Sequence, residues 1–259
     1  MKNTTLSFIK FILLVAAISA LLGVVIGNTL ALFTDSKSSE GIFTLGNVYI
    51  ELTEAAVKPD GNGNLIEDPD AERIYGADTT DGGLPTIHDY GLIFPGQTIY
   101  KDPVITNIGD TRAWMAAKVI VEDGNGDIHK LFSYSDDYDD IDIEHFLSGG
   151  LLDESVYVGE WNGFDNVCYN KNYVMLQHAD RAAGRYEFFF LMLNKIEPDA
   201  SFEVFDTFFI DPYFGGSEMM ELKEFKITVH AFATQTAGFK SCYEAMTEGF
   251  PEHFAGIMK

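Results

Sequence analysis

The chain has 259 residues, 46% apolar and 14% aromatic, enough for one sizeable core or two small ones. Lys and Arg number 17 against 40 Asp and Glu, a formal net charge of −23, which disfavours loose binding to nucleic acid or to anionic lipid surfaces. Two cysteines, Cys168 and Cys242, exclude a disulfide-dense mini-fold and any four-thiolate zinc site.

The N-terminus reads as an export signal over residues 1–31. Lys2 and Lys10 precede an apolar run from Phe11 to Ile26 that only Ser19 and Gly23 interrupt. Thr29-Leu30-Ala31 then places small side chains where a signal peptidase accommodates them, so the expected cut lies between Ala31 and Leu32. The competing reading is a retained anchor, since Leu30 to Phe33 extend an apolar run that falls short of the roughly 20 residues a spanning helix needs. Polar Thr34-Asp35-Ser36-Lys37 directly after the boundary favours cleavage. With the lysines ahead of the apolar run, the N-terminus stays cytoplasmic and the rest is exported, so membrane contact ends with cleavage.

From residue 32 onward the pattern is that of strands. Val48, Ile50 and Leu52 alternate with Asn47, Tyr49 and Glu51, a half-buried strand. Residues 58–72 read as a loop, and Phe94-Pro95-Gly96-Gln97 as a turn into a strand over Thr98–Thr106. The Asn107-Ile108-Gly109-Asp110 break, followed by a strand over Ala113–Glu122, predicts a hairpin. Residues 134–147 form an acidic stretch, irregular or helical, inside an inserted excursion near 123–165. Strands are expected again at Ser155–Trp161, Asn172–Gln177, Tyr186–Ile196 (nearly continuous apolar, hence buried on both faces), Phe202–Ile210 and Glu224–Thr234, with a short helix at Ser241–Thr247. Strand runs divided by Gly, Pro, Asn and Asp turns predict an all-β antiparallel sandwich with short helices, one domain over 32–259.

Motifs for chemistry are few. The six histidines, His88, His129, His145, His178, His230 and His253, form no H-E-x-x-H zinc helix. A zinc site assembled from distant histidines stays open, while His230 within a strand reads as structural. There is no G-x-S-x-G elbow, no Walker A loop and no cofactor-binding motif, so no enzyme is read and no cofactor is expected. Asp60-Gly61-Asn62-Gly63-Asn64 and Asp123-Gly124-Asn125-Gly126-Asp127 space oxygen ligands as calcium loops do, but lack the glycine at position six and the glutamate at position twelve. A Gly/Asn turn between strands is the favoured reading of both. Should Cys168 and Cys242 meet in an exported chain, a disulfide would stabilise it by about 4 kcal/mol. Tyr157, Trp161 and Tyr169 are candidates for stacking on sugars.

Three stretches resemble one family. Ala31-Leu32-Phe33-Thr34-Asp35-Ser36 with Ile42-Phe43-Thr44-Leu45-Gly46-Asn47-Val48, then Phe94-Pro95-Gly96-Gln97 with Pro103-Val104-Ile105-Thr106-Asn107-Ile108-Gly109, then Lys226–Phe239, are similar to the start, middle hairpin and closing strand of TasA/camelysin-type proteins. Residues 123–220 have no counterpart. The resemblance implies a jelly-roll sandwich, export through a signal peptidase of the SipW type, and a place in a biofilm matrix or on the cell surface. It also implies a homopolymer formed by strand addition, the donor segment beginning at Leu32 and carrying Leu32, Phe33, Ile42, Phe43 and Leu45. Some members carry a metalloprotease label instead. The expected function is thus a secreted fibre subunit, with a camelysin-like metal-dependent protease or a monomeric carbohydrate-binding module as alternatives.

Overall fold

Apolar runs in the second half of the chain become its longest strands. The structure, a computed structural model, describes residues 47–76, 84–86, 90, 93–123, 146–161, 163–210, 212 and 225–257, all within the unit Gly46–Lys259. The signal segment, the Ala31/Leu32 boundary, the donor residues up to Leu45 and nearly all of the acidic 134–147 stretch lie outside the described residues. In chain order the strands are β1 (Ile50–Glu54), β2 (Val57–Pro59), β3 (Leu65–Glu67), β4 (Ile74–Tyr75), β5 (Leu84–Thr86), β6 (Thr98–Tyr100), β7 (Val104–Asn107) and β8 (Ala113–Glu122). They continue with β9 (Leu147–Ser148), β10 (Val156–Trp161), β11 (Phe164–Tyr169), β12 (Tyr173–Asp180), β13 (Arg185–Met192), β14 (Ser201–Glu203), β15 (Thr207–Phe209) and β16 (Lys226–Gln235), and helix α1 is Cys242–Gly249. With 48% of the described residues in strands and one α-helix, the fold is all-β.

Among the described residues three sheets form, in the orders β14-β7-β1-β4, β10-β11-β12-β13-β8-β16-β5 and β2-β3-β6-β15-β9. The pairs are antiparallel except for β3 with β6. The seven-stranded sheet is apolar on both faces, which the unbroken runs of β8 and β13 require. On one face Met115, Val119, Phe188, Phe190, Val229 and Ala231 meet Leu52, Ile99, Ile105, Phe202 and Phe208 from the two smaller sheets, making the main core. On the other, Ala116, Phe189, Leu191 and Phe232 pack against Cys242, Ala245, Met246, Phe254 and Ile257 of the C-terminal segment. Lys118 fastens that segment: its Nζ donates to the His253 carbonyl at 2.7 Å and pairs with Glu187 at 2.8 Å. The Ser241 hydroxyl accepts from Glu244 N–H at 3.2 Å, and the Glu244 carboxylate accepts from Lys240 N–H at 2.6 Å, a reciprocal cap that starts α1.

Three expectations are corrected. Residues 58–72 contain the β2–β3 hairpin, closed by the Asp60–Asn64 turn. The run over 98–106 and that over 113–122 do not pair with each other: β7 lies between β1 and β14, and β8 between β13 and β16. The Asn107 side chain explains this, because its amide donates to the carbonyls of Thr111 (2.9 Å) and Ile196 (3.0 Å), turning the chain across to the other layer. Gly109 is needed there, since a Cβ would stand 2.4 Å from the Asn47 carbonyl oxygen. Finally, the runs 98–106 and 202–210 are each divided, into β6/β7 and β14/β15, and each contributes to two sheets.

The two divided runs bend side by side. Lys101 N–H donates to Asp206 O and Val204 N–H to Pro103 O, both at 2.9 Å, so the ribbon stays hydrogen-bonded through its corner. Inside the corner Lys101 and Glu54 are each 0% exposed and paired at 2.6 Å. Asp102 accepts from Ala55 N–H at 2.6 Å and pairs with Arg73 at 2.9 Å. Arg73 in turn donates to the Thr53 hydroxyl at 3.1 Å. Removing one partner of a buried ion pair leaves an uncompensated charge. Lys101→Met or Glu54→Leu should therefore cost about 3–5 kcal/mol in urea unfolding, because each leaves the other group buried without its partner. A loss under about 1 kcal/mol from both variants would contradict the buried contact.

Candidate functional site

A cleft and an adjoining sheet edge form the candidate site. The β11–β12 turn is set by Asn170, whose side-chain oxygen accepts from Asn172 N–H at 2.8 Å. Its amide nitrogen donates to the carbonyls of Leu151 (3.0 Å) and Asp153 (3.3 Å), tying the turn to the 149–155 loop. That loop enters through Gly149 at φ 77°, where a Cβ would collide with the Asp206 carboxylate, so only glycine fits. Its 3-10 turn buries Leu151 and Leu152 and turns Asp153 and Glu154 outward. Between loop and turn opens a cleft of about 820 Å³ lined by Asp153, Glu154, Val156, Tyr169, Lys171 and Asn172 among others. The Ser155 hydroxyl lies 2.6 Å from the Tyr173 hydroxyl, whose phenol is pushed well above its ordinary pKa by burial.

Beside the cleft runs β10, which among the described residues has a strand partner on one side only, β11. Val156 (52% exposed), Val158 (46%), Trp161 (57%) and Tyr169 (44%) present apolar surface along this margin. Register shifts between Tyr157 and Gly159, and again before Trp161, bend its second half. The three aromatics singled out for sugar stacking do not form one platform. Tyr157 pairs with Cys168 on the main-core side and packs there, Tyr169 stands opposite Val156 at the cleft, and Trp161 sits at the far end of β10.

The other sequence candidates separate. Cys168 and Cys242 are both buried, and the possible disulfide between them is not formed. They lie on opposite faces of the seven-stranded sheet, Cys168 in the main core with Sγ 3.4 Å from the Tyr173 hydroxyl, Cys242 on the helix side donating to Met115 O at 3.1 Å. Burial pushes the Cys242 thiol up to about 12. The Asp60 carboxylate is used by its own turn: it accepts from Asn62 N–H (2.7 Å) and Asn64 N–H (3.0 Å), and these bonds hold its carboxyl below the usual range. Of the second such loop only Asp123 is described, and His88, His129 and His145 also lie outside the described residues. His230 and His253 lie tilted to one another, ring centroids 5.9 Å apart, and Phe232 packs against His253 at 4.7 Å, between strand and C-terminal segment. Among the described residues no group of three His, Cys, Asp or Glu side chains is placed to hold a metal.

The charged group of buried Glu54, Lys101 and Asp102 with half-buried Arg73 was not among the sequence candidates. Its signal was there: a Lys-Asp-Pro in the middle of an apolar strand run. No protein-family model matches the chain, and no curated protein or solved structure matches it either.

Because both thiols are enclosed, the native protein should take up no thiol reagent at neutral pH and two equivalents once unfolded. Its electrophoretic mobility should not depend on reductant. Fast labelling of the folded chain would contradict this burial.

Proposed function

We propose that the chain is a secreted structural protein of an extracellular matrix or cell surface, a jelly-roll subunit of the TasA/camelysin type that assembles by strand addition. The observation that carries this reading is the β10 margin, among the described residues an apolar sheet edge beside an open cleft. An edge strand offers a row of backbone donors and acceptors to another chain, and alternate side chains set the register of what docks. The donor in this reading is the segment from Leu32, released by a signal peptidase of the SipW type at Ala31/Leu32, with Phe33, Ile42, Phe43 and Leu45 entering the neighbour. A contact that repeats head to tail without closing gives a filament. The charge of −23 supports the same view, because self-repulsion suppresses non-specific clumping and leaves only contacts with specific geometry.

A monomeric carbohydrate-binding module is the second reading, favoured by Tyr169 lying in the cleft with Asp153 and Asn172. The two part company on assembly. Electron microscopy of the purified mature chain should show filaments. Burying Phe33 or Phe43 contributes about 1.5–3 kcal/mol each, so Phe33→Asp and Phe43→Asp should give folded monomers with little polymer. Val156→Lys with Val158→Lys, on the receiving margin, should do the same without lowering the melting temperature. Undiminished filaments from all of these variants would overturn strand addition.

A further inference from the structure

The buried corner holds two side chains in a geometry suited to reaction. Lys101 Nζ is 2.6 Å from Glu54 Oε1 and 2.6 Å from Oε2. An atom equidistant from both oxygens at that range lies no more than about 3 Å from the carboxyl carbon, within the separation of a near-attack arrangement. Both side chains are 0% exposed. Asp102 sets the pair from both ends: it follows Lys101 in the chain, and its carboxylate accepts the N–H of Ala55, the residue after Glu54. Arg73 holds that carboxylate in turn.

We propose that Lys101 and Glu54 condense to an isopeptide bond that covalently ties β1 to the corner between β6 and β7. A proton passes from the ammonium to the carboxylate, giving a neutral amine and a neutral acid. The amine lone pair then attacks Cδ, the C–N bond forms, and the C–O bond of the carboxyl hydroxyl breaks. That hydroxyl leaves with one nitrogen proton as water, so the step needs no oxidant, reductant or co-reactant. Burial works in its favour twice. It draws the Lys101 ammonium below its ordinary pKa, which supplies the free amine. It also makes two opposed charges in a dry interior costly, whereas the amide product carries none. Such a bond would be a covalent brace in a chain whose Cys168 and Cys242 are not joined by a disulfide.

The bond is independent of whether chains assemble, and peptide mapping of the full chain tests it directly. Purified protein is unfolded, digested with trypsin and analysed by mass spectrometry. The expected result is a joined pair of peptides, one containing Glu54 and one Lys101, lighter than their sum by one water, with no cleavage after Lys101. Lys101→Arg should abolish the joined species and restore cleavage. Because the readout on the natural chain needs no variant to fold, separate Glu54 and Lys101 peptides with cleavage after Lys101 would overturn the proposal.

Discussion

The arrangement of the described strands depends on the charged corner at Lys101. Two long β runs, 98–106 and 202–210, would each make one continuous strand on their side-chain pattern, and one flat sheet would then have only one face to bury. Instead both bend where Lys101-Asp102-Pro103 meets Val204-Phe205-Asp206, and the halves enter different sheets. Proline removes a ladder donor at that point. The pairing of Lys101 with Glu54 and of Asp102 with Arg73 satisfies charges that the bend drives inward. The result is that two small sheets face the seven-stranded one and close the main core over it.

That closure determines which surfaces remain for partners. The seven-stranded sheet has one face under the smaller sheets and the other under α1 and the C-terminal segment. Among the described residues both faces are covered over the central strands, and the β10 margin is left exposed. The β10 margin and the cleft beside it carry Val156, Val158, Trp161 and Tyr169, whereas most of the charge elsewhere on this chain is negative. In the proposed assembly, such an edge on a self-repelling molecule would admit a neighbour only through a segment that matches it in hydrogen bonding and shape.

The strands that cross the middle of the large sheet were legible in the sequence. Tyr186–Met192 is an aromatic run too dense for an exposed face, and Lys226–Gln235 is long and rich in β-branched and aromatic residues. The short helix expected at Ser241–Thr247 is α1. Partners were not legible, because turn residues report a reversal and not its destination: Asn107 looks like a hairpin residue, yet its amide bonds bridge to Ile196, far along the chain. The bend at Lys101 left a visible trace in Pro103, while the matching bend at Val204-Phe205-Asp206 holds neither proline nor glycine to mark it. The candidate site was half legible. Tyr169 and Trp161 are exposed, but strand parity sends Tyr157 inward, and spacing alone cannot tell that Cys168 and Cys242 occupy opposite faces of a sheet.

Amide hydrogen exchange measured residue by residue tests the role of the corner most directly. If the corner holds the sheets as one cooperative unit, the N–H groups of Ala55, Lys101 and Val204 exchange as slowly as those of β8 and β13, opening only with global unfolding. Exchange at these three amides as fast as in the Asp60–Asn64 turn, while β8 and β13 stay protected, would contradict it.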